Sequence, residues 1–287
     1  MRARSCLHDT AARWRSRLML AVCALFTVLI LGILGLVTGY LVTLGAGALG
    51  PEFMTALPTG DVAHPGGMRH AVVGTGVLVG IAALVGIPVG MLAGIYLAEY
   101  ETEGRLATVV RFVADVLAGV PSIVVGVLGY ELLVVPLGHF NGWAGALALA
   151  FIMVPIVART TEEMLRLVPN SYREASIALG AGKARTILQV VLPSATGSVV
   201  TGVMLAIARV AGETAPLLFT ALGSRLLTLD PNHPFPSLTV QVYTYATGPY
   251  EEQKRLAWAG VLVLISLVFV LNLAIRWFAR ERRGSAG

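Results

Sequence analysis

Glu174-Ala-Ser-Ile-Ala-Leu-Gly180, followed by Lys183-Ala-Arg-Thr-Ile-Leu-Gln-Val-Val-Leu-Pro193, is the stretch on which the reading of this chain turns. Ala175, Ala178 and Leu179 recur at i, i+3 and i+4, the spacing of one face of a helix. Ser171 is placed to cap that helix with Glu174 at N3, where the helix dipole favours an anion. Gly180 supplies the stop, as a glycine just past a helix end does. The apolar face is too small to hold a lipid surface strongly; docking into a groove on a partner explains it better. Its flanks are apolar on both sides, residues 143–158 before it and 195–222 after it.

Those flanks are two of six apolar windows: residues 18–44, 71–98, 112–137, 143–158, 195–222 and 256–278. Crossing a bilayer as a helix takes about 20 apolar residues. The fourth window gives roughly 24 Å of helix, so it must start earlier, near His139, or be shielded by its neighbours. Of the 287 residues, 56% are hydrophobic and 13% charged, and the mean hydropathy is +0.78. A soluble domain carries about 25% charged residues, and half that complement does not cover a surface. The chain is an all-α polytopic membrane protein. Its 32 glycines fit, since glycine is frequent in membrane helices. The first window is too long for a signal-peptide core and reads as a retained helix.

Sixteen of the 21 Lys and Arg residues fall on one side of this arrangement, four on the other, and Arg209 lies inside a window. The positive-inside rule places both termini in the cytoplasm, which agrees with an even number of spans. The net charge of +5 therefore reflects cytoplasmic loops, not nucleic-acid binding. Residues 1–17 form a cytoplasmic N-terminal segment, 18–280 a single six-helix domain and 281–287 a cytoplasmic tail. Two polar segments are candidates to carry function, the cytoplasmic 159–194 and the external 223–255. Three prolines between Asp230 and Pro236 prevent regular structure in the latter.

The chain offers little to an enzyme. Leu179-Gly-Ala-Gly-Lys-Ala184 imitates a phosphate-binding loop, but that loop needs Gly at 177 and Ser or Thr at 184, where Ile and Ala stand. Cys6 and Cys23 give neither a disulfide framework nor metal-ligand spacing. His8, His64, His70, His139 and His233 read as solvated loop histidines.

The buried charges are more informative. Arg209 sits near the middle of the fifth window, where a charge costs several kcal/mol. Glu213 follows at i+4 on the same helical face. The two form either a neutralised pair that fixes helix packing, or a face that lines an aqueous path. In the second reading Arg209 offers a planar fork suited to oxyanions, and Glu213 holds, tunes or exchanges with it. Thr214 adds a hydroxyl, and Pro216 breaks the helix just beyond. Asp115 pairs with Arg111 at i−4, a structural role, and Glu131 has no local partner. Arg159, at the inner end of the fourth helix, is either a path residue or a solvated positive-inside charge. Gly76, Gly80, Ala83, Gly86, Gly90 and Gly94 share an arc of about 120° on the second helix. That stripe serves packing within the chain or a subunit interface.

The spacing of Glu174, Ala175, Ser176, Gly180, Val190, Leu192 and Pro193 resembles the EAA loop of ABC-importer permeases, with Ser for the third Ala and Val for Ile. Gly94-Ile-Tyr-Leu-Ala-Glu-Tyr100, Gly119-Val-Pro-Ser-Ile-Val124 and Ala208-Arg-Val-Ala-Gly-Glu-Thr-Ala-Pro-Leu-Leu-Phe-Thr220 are similar to the phosphate branch of that family, from about Met68 onward. The resemblance implies a type I importer architecture of the MetI-like kind in the bacterial cytoplasmic membrane. It implies a homologous permease subunit, two ATPase subunits and an external phosphate-binding protein as partners. Cofactors are then none in this chain, with ATP and Mg held by the ATPase. Glu174, Ala175, Gly180, Leu192 and Pro193 would be the ATPase-coupling residues, and Arg209, Glu213, Thr214 and Arg159 the anion-path residues. A permease for sulfate or molybdate, or an ion-coupled secondary transporter, stands as the alternative.

Overall fold

The structure, a computed structural model, describes residues 2–61, 64–100 and 104–284; the side chains of residues 2–13, 271 and 274–284 are outside the described set. The side chains of Cys6 and His8 and the end of the tail, 285–287, therefore lie outside the described set. The described chain is helical: α1 (Arg2–Gly45), α2 (Pro51–Thr55), α3 (Arg69–Ile95), α4 (Arg105–Gly119), α5 (Ser122–Gly129), α6 (Val135–Leu137), α7 (Gly142–Arg166), α8 (Asn170–Ala178), α9 (Lys183–Thr186), α10 (Leu192–Ala211), α11 (Ala215–Thr220), α12 (Leu238–Thr247) and α13 (Glu251–Gly284). Among the described residues, five helical runs are long and apolar enough to cross a membrane, and a bent pair, Arg105–Gly119 with Ser122–Leu137, makes six. The side carrying most Lys and Arg is called the inner side below.

The third window is the first departure from expectation. It is not one straight span but two helices meeting at 101°. Val120 and Pro121 are extended there, with ψ of 131° and 132°. A residue before proline is pushed out of helical geometry, and here the chain turns at it. The fifth window breaks too. α10 ends at Ala211, and Pro216 does not terminate the helix but stands in the first turn of α11, where its missing N–H costs nothing. The Thr239 hydroxyl donates to the Glu213 carbonyl at 2.9 Å, so α12 occupies an acceptor freed by the break.

α7 is the axis of the bundle. It starts at Gly142 and owes its place to shielding: α3, α4, α5, α10 and α11 all pack on it. Several of its inward residues are small, with Ala144, Ala146, Ala148, Ala150 and Ala158 all buried. Gly86, Gly90 and Gly94 of α3 meet that surface. A Cβ on Gly90 would stand 2.7 Å from Val157 Cβ, and one on Gly94 would stand 2.6 Å from the Ala158 carbonyl oxygen. The glycine stripe thus divides. Its inner half is packing within the chain, and Gly76 and Gly80 face open space.

The outer end is held by elements that the sequence pattern did not announce. Asn141 caps α7 through Ala144 N–H at 2.8 Å, and the Pro231 carbonyl accepts from Gly142 N–H at 2.7 Å. Phe235 is fully buried against Gly142. The Asn232 backbone N–H, donating to Asp230, holds that carboxyl below its ordinary range. α12 lies inside the segment read as an external loop, and its residues 238–241 are buried against α13 and α3. Burial pushes the Tyr245 phenol of α12 above its usual value. His70 is a correction: it is the second residue of α3 and fully buried, not a solvated loop histidine. Among the described residues, α1 meets α13 near its outer end, where Tyr40 packs edge-on against Trp258 at 5.9 Å.

Replacing Gly94 by Leu should lower the melting temperature and membrane abundance of the chain, since overpacking a close contact costs about 1–3 kcal/mol. Gly80→Ala, on the open half of the stripe, should leave both unchanged. A Gly94→Leu chain that melts like the parent would remove the α3–α7 contact from its central place.

Candidate functional site

The two helix breaks face one another. Between them lies a cavity of about 270 Å³, lined by residues 117–122 of the α4–α5 bend, Ile152 and Ile156 of α7, and Arg209 and Glu213. Ile152 and Ile156 fall at the middle of α7, so the cavity sits halfway through the bundle. A larger cleft of about 330 Å³ runs between α3, α5 and α7, past Val85, Leu128, Leu132 and Phe151, but no polar side chain lines it. An oxyanion needs donors, so the smaller cavity is the candidate.

Arg209 stands in the last turn of α10. Its guanidinium is exposed to the cavity and makes no hydrogen bond or ion pair among the described residues. The i+4 rule anticipated a pair with Glu213, but that rule needs a continuous helix, and this one stops at Ala211. Glu213 is half-buried in the break and shares the cavity without bonding to Arg209. Thr214 is the N-cap residue of α11, and its side chain makes no capping bond. Across the cavity, the first turn of α5 has no side-chain cap either, leaving backbone N–H groups at the bend.

One turn toward the inner side lies a charged cluster. Glu162 of α7 is only 1% exposed and receives three guanidinium groups: Arg111 at 2.6 Å, Arg166 at 2.8 Å and Arg159 at 3.4 Å. Arg159 turns its other edge to Asp115, with Nε to Oδ1 at 2.9 Å and Nη2 to Oδ2 at 3.3 Å. Asp115 therefore does not pair with Arg111, which crosses from α4 to Glu162 and also donates to the Leu97 carbonyl at 3.1 Å. A buried carboxylate attracts every cation within reach, and the local i−4 partner loses to it. Arg159 is thus an ion-paired residue inside α7 and not a freely solvated charge. Glu131 is exposed in the π-helical turn Tyr130–Val134 and makes no ion pair among the described residues.

The inner end is completed by α8. It begins at Asn170 behind Pro169, two residues earlier than a Ser171 cap requires, and no side chain caps it. Its end is as expected: Gly180 has φ of +85°, its N–H donates to Ile177, and Ala181 N–H reaches back to Ser176. That is a Schellman stop, which glycine adopts without a Cβ penalty. Glu174, Ala175, Ile177 and Leu179 are exposed, Leu179 at 89%. Leu192 and Pro193 form the first turn of α10, preceded by a π-helical turn, Ile187–Val191, that absorbs the proline's missing bond. Lys183, in the imitation phosphate loop, lies over the Tyr100 ring at 4.7 Å.

Arg173 bolts α8 to the bundle. Its guanidinium grips Glu99 at 2.5 Å and 3.2 Å and donates to the Leu165 and Val168 carbonyls at 2.9 and 2.7 Å. Sequence reasoning missed Glu162, Glu99 and Arg173. Arg159, Glu162 and Arg166, at i, i+3 and i+7, carried a helical signal that the assignment to a loop hid. The Glu99–Arg173 pair, far apart in the chain, left no local signal.

Residues 86–284 match the family described as binding-protein-dependent transport system inner membrane component. The phosphate transport system permease protein PstA of Yersinia pestis is 48% identical over 218 residues, 76% of this chain and 74% of that one. The protein of the same name from Haemophilus influenzae is 43% identical over 243 residues, 85% and 86% of the two chains. PstA 1 of Mycobacterium tuberculosis is 45% identical over 223 residues, 76% and 72%. Among solved structures, a chain of the MetNI methionine ABC transporter, in an inward-facing conformation, superposes with a TM-score of 0.60 at 21% identity over 75% of this chain and 96% of its own. An amino acid ABC transporter gives 0.52 at 19% identity, over 75% and 92%. The helical architecture is that of these permeases, and the chain belongs to the family of binding-protein-dependent transport system inner membrane components, as a multi-pass, non-catalytic subunit of an ABC transporter complex.

Proposed function

We propose that this chain is the permease for inorganic phosphate in an ATP-driven importer, and that Arg209 is the residue a translocating phosphate meets halfway across. The observation that carries this is an arginine with no partner among the described residues, opening into a polar cavity at mid-depth of the bundle. An unpaired guanidinium inside a membrane bundle is costly unless an anion or water compensates it. Its planar fork matches two oxygens of a tetrahedral oxyanion, and the uncapped first turn of α5 adds a favourable dipole on the opposite wall. Glu213 keeps the empty cavity near neutrality and limits how long the anion stays. The names of the relatives support phosphate over other oxyanions.

The partners in this reading are a homologous permease subunit, two ATPase subunits that bind ATP and Mg, and an external phosphate-binding protein. Glu174, Ala175 and Gly180 with the exposed face of α8 dock on an ATPase. Leu192 and Pro193 join that docking unit to α10. Both termini and α8 lie on the cytoplasmic side.

Uptake of labelled phosphate into proteoliposomes containing the complete complex is the test, with sulfate and molybdate as competitors. Because Arg209 strands no buried partner when removed, Arg209→Gln should assemble normally and keep ATP hydrolysis. Phosphate import should fall about ten- to a hundred-fold, as expected for loss of one charge-assisted contact. Full import by Arg209→Gln would defeat the assignment, and stronger competition by sulfate than by phosphate would reassign the substrate.

Docking has its own test. Glu174→Lys and Leu179→Asp alter exposed side chains, so the chain should reach the membrane in normal amounts while capture of the ATPase by the tagged chain drops at least several-fold. Normal ATPase capture by both variants would place the docking surface elsewhere.

A further inference from the structure

We propose that Asp115 is a displaceable counter-ion that closes the inner exit of the Arg209 cavity by occupying the guanidinium fork of Arg159, and that phosphate leaves by exchanging with it. This rests on the phosphate-permease reading given above. The placement comes from helix register. Ile152 and Ile156 of α7 line the cavity, and Arg159 follows on the same face one turn further in. Ala118 of α4 lines it from the other side, and Asp115 precedes it by three residues, again one turn further in. The Asp115–Arg159 pair therefore lies next to the cavity on its inner side.

The distances say which of the two acids in the cluster can be exchanged. Glu162 is almost fully buried and already held at 2.6 and 2.8 Å by Arg111 and Arg166, so it stays fixed in place without Arg159. Asp115 is 54% exposed, and Arg159 is its single ion-pair partner among the described residues. An exposed carboxylate is readily hydrated, so its release from the pair is easy. The cluster has three cations, Arg111, Arg159 and Arg166, against two carboxylates, Glu162 and Asp115. It keeps a surplus positive charge that favours an arriving anion. Asp115 presents two oxygens side-on to Nε and Nη2, the same bidentate arrangement that two phosphate oxygens adopt on arginine. Asp115 holds the place of the anion when none is present. It acts through Arg159 and is a positioning residue.

The test is inhibition of import by inorganic phosphate supplied on the inner side of proteoliposomes that hold the complete complex. In Asp115→Asn the fork of Arg159 has no competing carboxylate, so half-inhibition should occur at about ten-fold less phosphate. Asp115→Glu, which keeps the charge, should behave like the parent. A half-inhibiting concentration unchanged in Asp115→Asn overturns the proposal. If Asp115→Asn fails to assemble, Arg159→Lys carries the same question. A lysine keeps the ion pair but not the fork, so inner-side inhibition should then need about ten-fold more phosphate, and an unchanged value again overturns the proposal. A parent complex that imports no phosphate fails the permease reading itself, which is a different result.

Discussion

The close approach of α3 to α7 fixes where everything else in this bundle stands. Glycines 90 and 94 let the two backbones come within a distance that a single methyl group would prevent, and Gly86 packs nearly as closely. In a bilayer, helices gain nothing from hiding apolar surface, because lipid is as apolar as leucine; packing of small residues supplies the association. α7 carries the alanines that accept this contact, and it is the helix around which α4, α5, α10 and α11 are arranged. Its middle sets the depth of the cavity and its inner third sets the place of Glu162. A helix enclosed by protein needs no lipid-facing length, which is why a short apolar window serves as a span.

The same enclosure permits two broken helices. Backbone that leaves helical geometry at membrane depth is tolerated where it is buried in protein or lines a cavity. Both breaks satisfy that condition in one place, since they bound the same polar space. Proline acts differently in the two. Pro121 forces its predecessor into extended geometry and makes a sharp bend. Pro216 follows a break that Gly212 and Glu213 have already made, and it starts the next helix. The charged residues of the cavity are therefore presented by a helix end and an irregular segment, not by a helix face.

That difference explains what was legible in the chain beforehand. Apolar windows report burial in lipid or protein, and all six correspond to helical segments. They do not report bends, so Val120-Pro121 within a long apolar run passed as part of a straight helix. Segment 238–247 mixes Thr, Gln and Tyr with Leu and Val and reads as loop, although Ser237 is a sound N-cap for it. Pairing rules based on i and i+4 located the right charges and chose the wrong partners twice. Arg209 and Glu213 lost their shared face when the helix stopped at Ala211. Arg111 and Asp115 each found a stronger partner on α7, which only the tertiary arrangement brings near. Arg209, Glu213 and Arg159 were found by charge in an apolar context, a local signal. Glu162 and Glu99 were not, because their meaning depends on arginines from other helices.

α8 is joined to the bundle by more than its chain. Arg173 holds Glu99 at the end of α3 and two carbonyls at the end of α7. Those are the two helices whose backbones touch at Gly94, and Gly94 packs beside the backbone N–H of Glu162. A force applied to the exposed face of α8 therefore reaches α3 and α7 together. It cannot separate them without opening the glycine contact. α4 meets α7 through Arg111–Glu162 and Asp115–Arg159 and ends at the Val120-Pro121 bend. Of these two contacts the Asp115–Arg159 pair is the more exposed, since Arg111–Glu162 is shorter and buried.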